Sequence, residues 1–204
     1  MDGLHLSFLS QSLNKLPGSI VICFINPGDE CAKIPSWMKS DLASFNRIVG
    51  GKTAPSPIPW QVHLRQKSNT DFKAFCGGTI IDAKTILTAA HCYTAKNLKN
   101  PNHFITAGIV DRFDGAGQNV FVEKIILHES WTFTSNNHDI AILKLKTPLT
   151  FNNKVQQACL PDASFVPTGK AVASGWGLVS QFPNQSPQNL QVCMSSDFKN
   201  MWLT

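Results

Sequence analysis

No apolar run in this chain approaches the roughly 18 residues that cross a bilayer as a helix, so no segment is predicted to span a membrane. The six cysteines, at 23, 31, 76, 92, 159 and 193, never come as a C-x-x-C pair, which removes the usual structural zinc site. Charge is sparse at 15%, and the net +5 is spread along the chain. Its densest patch, AKNLKN at 95–100, has no interleaved aromatics and reads as a solvated loop rather than a nucleic-acid surface. There is no internal repeat, and from residue 48 onward no helical stripe of three turns. An apolar content of 43% excludes wholesale disorder, and 204 residues hold one domain or two small ones.

What is present reads as β structure. PWQVHLRQ, FCGGTII, TILTAA, HFITAGIV, NVFVEKIILH, DIAILKL, GKAVASGWG and NLQVCM are short runs rich in Val, Ile, Thr and Phe. Turn-prone segments such as SNTD, DRFDGAGQN and TSNNHD separate them. Such a pattern predicts an antiparallel barrel or sandwich, and alternation in FVEKIILH predicts one buried face. The wide cysteine spacing favours long-range disulfides and an oxidising, secreted or extracellular setting, with the connectivity open. The leader supports secretion only weakly. It carries two short apolar patches, LSFL and SIVICFI, with Asp2 near its start and Lys15 as its one lysine or arginine before the second patch.

The segment CAKIPSWMKSDLASFNR, rich in polar and turn residues, is expected to wrap on a surface. It ends at Arg47, followed by IVGG. Arginine in such a segment suits proteolytic nicking, and cleavage there would create a new amino terminus at Ile48.

ILTAAHC, 86–92, ends an apolar run with a histidine, and His91 alone says little. Its neighbours in order say more: RIVGG at 47–51, PWQV at 59–62, CGGTII at 76–81, LTAAHC at 87–92, DIAILKL at 139–145, CLP at 159–161 and GWG at 175–177. Together these resemble the trypsin/chymotrypsin family of serine endopeptidases, over residues 47 to about 192. The resemblance implies an all-β fold of two six-stranded barrels. It divides the chain into a leader and pro-segment (1–47), a complete first barrel (48–158) and a partial second barrel (159–204).

By that resemblance His91 is the general base and Asp139 the carboxylate that orients it. An imidazole can take a hydroxyl proton during attack and return it to a leaving amine. A buried carboxylate on its other nitrogen sets the tautomer. The family also implies a Cys76–Cys92 bridge stapling the histidine loop, worth about 3 kcal/mol in a chain-entropy estimate. It likewise implies a Cys31–Cys159 bridge tethering the pro-segment; Cys23 and Cys193 have no family partner. Some relatives bind calcium in the loop AGIVDRFDGAGQNVFVEK, but Ile109 stands where those offer a glutamate, leaving Asp111, Asp114 and Glu123. The histidines at 5, 63, 103, 128 and 138 show no H-x-x-x-H spacing. Neither cofactor nor metal is expected.

The family's nucleophile sits in a G-D-S-G-G segment, and this sequence has none. Ser180, Ser186, Ser195 and Ser196 follow GWG without the flanking glycines whose N–H groups build an oxyanion hole. The expectation is a serine endopeptidase family member that is C-terminally incomplete and inactive in this form; the alternative is a non-catalytic homologue acting in binding or regulation. The implied partners are protein or peptide substrates, protease inhibitors, and an activating protease at Arg47.

Overall fold

The computed structural model of the protein describes residues 20–23, 35–41, 52–68, 71–93, 98, 102–134, 137–160, 171–177 and 186–195. Within them the chain forms β1 (Ile20–Cys23), α1 (Ser36–Asp41), β2 (Lys52–Thr53), β3 (Gln61–Ser68), β4 (Asp71–Asp82) and β5 (Thr85–Thr88). β6 (His103–Ala107), β7 (Gln118–Leu127), β8 (Ala141–Leu145), β9 (Ala171–Gly175) and β10 (Gln191–Ser195) follow. Each of the eight β-rich runs supplies one of the strands β3 to β10. β-branched residues fit a pleated, half-buried surface, and the Gly- and Asn-rich segments turn the chain between strands.

Strands β3-β4-β5-β8-β7-β6 close into a six-stranded barrel, antiparallel at every pairing, with β6 returning to β3. Period-two alternation fills its interior. Val62 and Leu64 of β3, Ile86 of β5, Ile105 of β6, and Leu143 and Leu145 of β8 are fully buried in one cluster. β7 joins that core through a bulge. A register shift between Val122 and Lys124 lets Val120 and Val122 face inward on one side of it, and Ile125 and Leu127 on the other. Phe121 and Ile126 are left outside.

A second sheet runs β1-β9-β10-β2. Its apolar cluster gathers Ala54, Ile58, Trp60, Ile109, Ala158, Val172, Trp176, Leu190 and Val192. The architecture is therefore all-β, a closed barrel beside a partial second sheet, with almost no helix. Contrary to its polar composition, the SWMKSD segment does not simply lie on the surface. It forms α1, and Met38 is buried in the second cluster with Trp37 packed against it. Full burial of one such side chain contributes about 1.5–3 kcal/mol. No helix among the described residues is long and apolar enough to cross a membrane.

The two apolar clusters meet along the outer face of β3. Gln61 and His63 point away from the barrel interior yet are 2% and 4% exposed, because β9 and Trp176 cover them. Ser174 donates its hydroxyl to Gln61 Oε1 at 2.7 Å, and the His63 ring stacks on Trp176 at 4.7 Å. Trp176 is held in place by its indole N–H, which donates to the Val110 carbonyl at 2.9 Å.

Candidate active site

The barrel's register brings the two expected proton-transfer residues together. β5 pairs with β8 so that Thr88 lies opposite Ala141. His91 follows Thr88 by three residues and Asp139 precedes Ala141 by two, so both emerge at the same end of adjacent strands. Between Thr88 and His91 the chain passes Ala89 and Ala90, both buried. A single 3-10 turn, Ala90–Cys92, then carries the imidazole to the rim.

Asp139 grips His91 twice. Its Oδ1 accepts the His91 backbone N–H at 2.7 Å, and its Oδ2 lies 2.6 Å from Nδ1. The carboxylate is fully covered while the imidazole side chain is 41% exposed. A carboxylate only accepts, so the contact selects the ring form with hydrogen on Nδ1 and leaves the Nε2 lone pair toward solvent. The turn presenting Asp139 is tight: Ile140 N–H donates to the His138 carbonyl at 2.8 Å, and His138 takes a φ of 59°. That left-handed conformation is unfavourable for a residue with a Cβ and is held by its surroundings. The His138 ring stacks on His128 at 4.7 Å, and His128 N–H reaches the Ile140 carbonyl at 3.1 Å.

Comparison with known proteins gives the family. The family model for trypsin matches residues 48–199. The chain belongs to the trypsin family of serine proteases. Similar relatives include Transmembrane protease serine 9 of Rattus norvegicus, 35% identical over 79% of this chain and 15% of that protein. Trypsin-1 of Astacus astacus is 36% identical over 71% of this chain and 62% of its own length. Coagulation factor IX of Oryctolagus cuniculus is 39% identical over 66% of this chain and 50% of its own. The chain thus spans less than two thirds of the length of each of these curated relatives.

In this trypsin-family barrel the histidine turn is stapled to β4. Cys76 and Cys92 are joined, with their Cα atoms 6.0 Å apart, and Thr88 donates its hydroxyl to the Gly77 carbonyl at 2.7 Å. Both ties end within three residues of His91 and fix the backbone that carries the imidazole. Cys159 is also disulfide-bonded; Cys31, its expected partner, lies outside the described residues, as do Arg47 and Ile48. Cys193 is a free thiol whose pKa is pushed up by burial.

No hydroxyl contacts His91 Nε2 among the described residues, where its polar neighbour is Cys92 Sγ at 3.9 Å. Ser186 lies in the segment ahead of β10, Ser195 belongs to β10, and Ser180 and Ser196 lie outside the described residues. Cys76, His91 and Cys92 place potential ligand atoms within 4.8 Å of one another, but the two sulfurs are bonded to each other and offer no thiolate to a metal. In the loop considered for calcium, Asp111 accepts from Phe113 N–H and from Gln188 Nε2, each at 2.8 Å, and Asp114 accepts from Ala116 N–H at 2.8 Å. These carboxylates cap their own turns.

One feature close to the fold's centre escapes sequence reasoning. His63 is buried and its pKa is lowered to about 3, by desolvation first and then by the charges of Arg65 and Arg112. Among the described residues its Nδ1 and the Gln61 Nε2 are buried without a hydrogen-bond partner. Strand alternation places His63 outside the barrel, on a face that would be solvated in an isolated barrel. The second sheet, not the local sequence, buries it.

Proposed function

We propose that the protein is a secreted serine endopeptidase homologue in which His91 acts as general base and Asp139 as its positioning carboxylate. The observation carrying this reading is the double grip of Asp139 on His91, on its backbone N–H and on its ring Nδ1. With Nδ1–H committed to Asp139, Nε2 takes the proton of a serine hydroxyl as that oxygen attacks a peptide carbonyl. It then returns the proton to the departing amine. The buried carboxylate stabilises the imidazolium formed between the two steps. Protein or peptide substrates and protease inhibitors are the partners of such a site, and the two disulfide-engaged cysteine sets suit an oxidising compartment.

The sequence holds the proton-transfer pair but neither the G-D-S-G-G nucleophile nor its oxyanion-hole glycines. This chain is therefore inactive by itself, even after cleavage at Arg47–Ile48 to expose the Ile48 amine. The test has two arms. The chain as it stands, cleaved and uncleaved, is exposed to a fluorophosphonate reagent that labels activated serines, and no His91-dependent labelling is expected. A family second-barrel remainder appended after Val192 should then yield a zymogen that turns over a peptide ester after cleavage at Arg47. Equal turnover in folded His91→Ala, Asp139→Asn and unsubstituted chimeras would refute the assignment.

A further inference from the structure

The segment ahead of Arg47 is built into the second sheet. Met38 is 1% exposed and shares its cluster with Ile58, Trp60, Trp176 and Val192. Its neighbour Trp37 packs on the flank of the same cluster and donates its indole N–H to Ser56 Oγ at 2.6 Å. The cluster thus draws side chains from both sides of Arg47–Ile48, and from β9 and β10 as well. Independently, β1 pairs all four of its residues with β9, from Ile20 opposite Gly175 to Cys23 opposite Val172. β9 is paired on its other side by β10, and β10 in turn by β2, so strands from before and after Arg47 take opposite edges of one sheet. A segment that only shielded a cleavage site would need neither the buried thioether nor the strand.

We infer that residues 1–47 stay seated on the rest of the chain as a non-covalent partner after the Arg47–Ile48 bond is cut, held by Trp37, Met38 and β1 whether or not Cys31 is bonded to Cys159. This rests on the proposed cleavage at Arg47. The receiving surface is apolar, formed around Ile58, Trp60, Trp176 and Val192, with the Ser56 hydroxyl at its edge. It fits a short helix presenting adjacent indole and thioether side chains. Cleavage then exposes the Ile48 amine without releasing the segment ahead of it. Loss of the segment would leave an apolar surface open and the β9 edge unpaired, a state prone to association.

The experiment uses the full chain carrying Cys31→Ser and Cys159→Ser, which removes the tether and spares Cys76–Cys92. After digestion at Arg47 with an arginine-specific endopeptidase, native size exclusion with mass detection should find fragment 1–47 co-eluting with 48–204. Met38→Asp should speed loss of the fragment at least tenfold, and Met38→Leu should retain it. Should Met38→Asp not fold, Trp37→Phe, which loses only the indole N–H and part of the ring, should still speed dissociation measurably. Release of the fragment while Trp37 and Met38 are intact would overturn the inference, as would equal retention across the folded variants. A chain that resists cutting at Arg47 would refute the cleavage reading instead. Docking is then read on the uncut chain from peroxide oxidation of Met38, expected at least tenfold slower than in urea; equal rates would overturn it.

Discussion

Acidification should weaken this fold through one side chain, His63. It is 4% exposed, and burial together with Arg65 and Arg112 holds its pKa at about 3 against 6.5 for the free group. A folded-state value below the unfolded one means that the native structure keeps the ring neutral. The stability linked to it is complete above pH 6.5 and is lost as pH falls toward 3, because the unfolded chain binds a proton that the folded chain refuses. The whole gap corresponds to on the order of 5 kcal/mol, of which about 3 kcal/mol is lost by about pH 4.5. His63→Phe removes the titration while keeping a ring to stack on Trp176, and the Nδ1 it gives up has no hydrogen-bond partner among the described residues. Urea unfolding followed by tryptophan fluorescence, at pH 7 and at about pH 4.5, compares the two proteins. Carboxylates that titrate in this window do so in both and cancel in the difference. The Phe variant should lose about 3 kcal/mol less than the parent on acidification. Equal losses, or a His63 pKa above 6 by NMR, would refute the reasoning.

Three further outcomes are expected. Asp139→Asn in an active chimera should lower turnover by about 10⁴, a magnitude carried over from the family and not worked from this geometry; steady-state kinetics on a peptide ester measures it. Gly78→Ala places a Cβ 2.7 Å from Ile86 Cγ2 and 3.0 Å from the Leu87 carbonyl, between two barrel strands. It should cost about 1–3 kcal/mol in urea unfolding, and an unchanged midpoint would show that the barrel yields there. Replacing both Cys76 and Cys92 by Ser should remove about 3 kcal/mol by loop entropy, and peptide mapping under non-reducing conditions should find Cys76 bound to Cys92 in the parent.

Much of the barrel is legible in the sequence because its causes are local. The β-branched Thr and Ile residues of TILT and HFITA favour extended, half-buried backbone, and the Asn- and Gly-rich joints turn the chain. His91 and Asp139 are legible as a pair only through the ordered motifs around them, since 48 residues separate the two. Their meeting depends on the pairing of β5 with β8, a non-local register that neither strand encodes alone. The β7 bulge is similar. FVEKIILH alternates in the sequence, but which face is inside changes where Val122 and Lys124 shift register.

By itself, then, the sequence determined the β class, the positions of strands β3 to β10, the order of the family motifs, and the absence of a G-D-S-G-G segment. These depend on side-chain shape, spacing and identity along the chain. Tertiary structure alone decided the rest. The polar SWMKSD segment reads as surface, yet Met38 is buried because the second sheet leaves an apolar cluster that a thioether can complete. His63 stands in the β-rich run PWQVHLRQ, and it is held neutral because β9 and Trp176 close over it. In both cases the burying partner comes from a distant part of the chain, and desolvation is a property of that assembly, not of the residue.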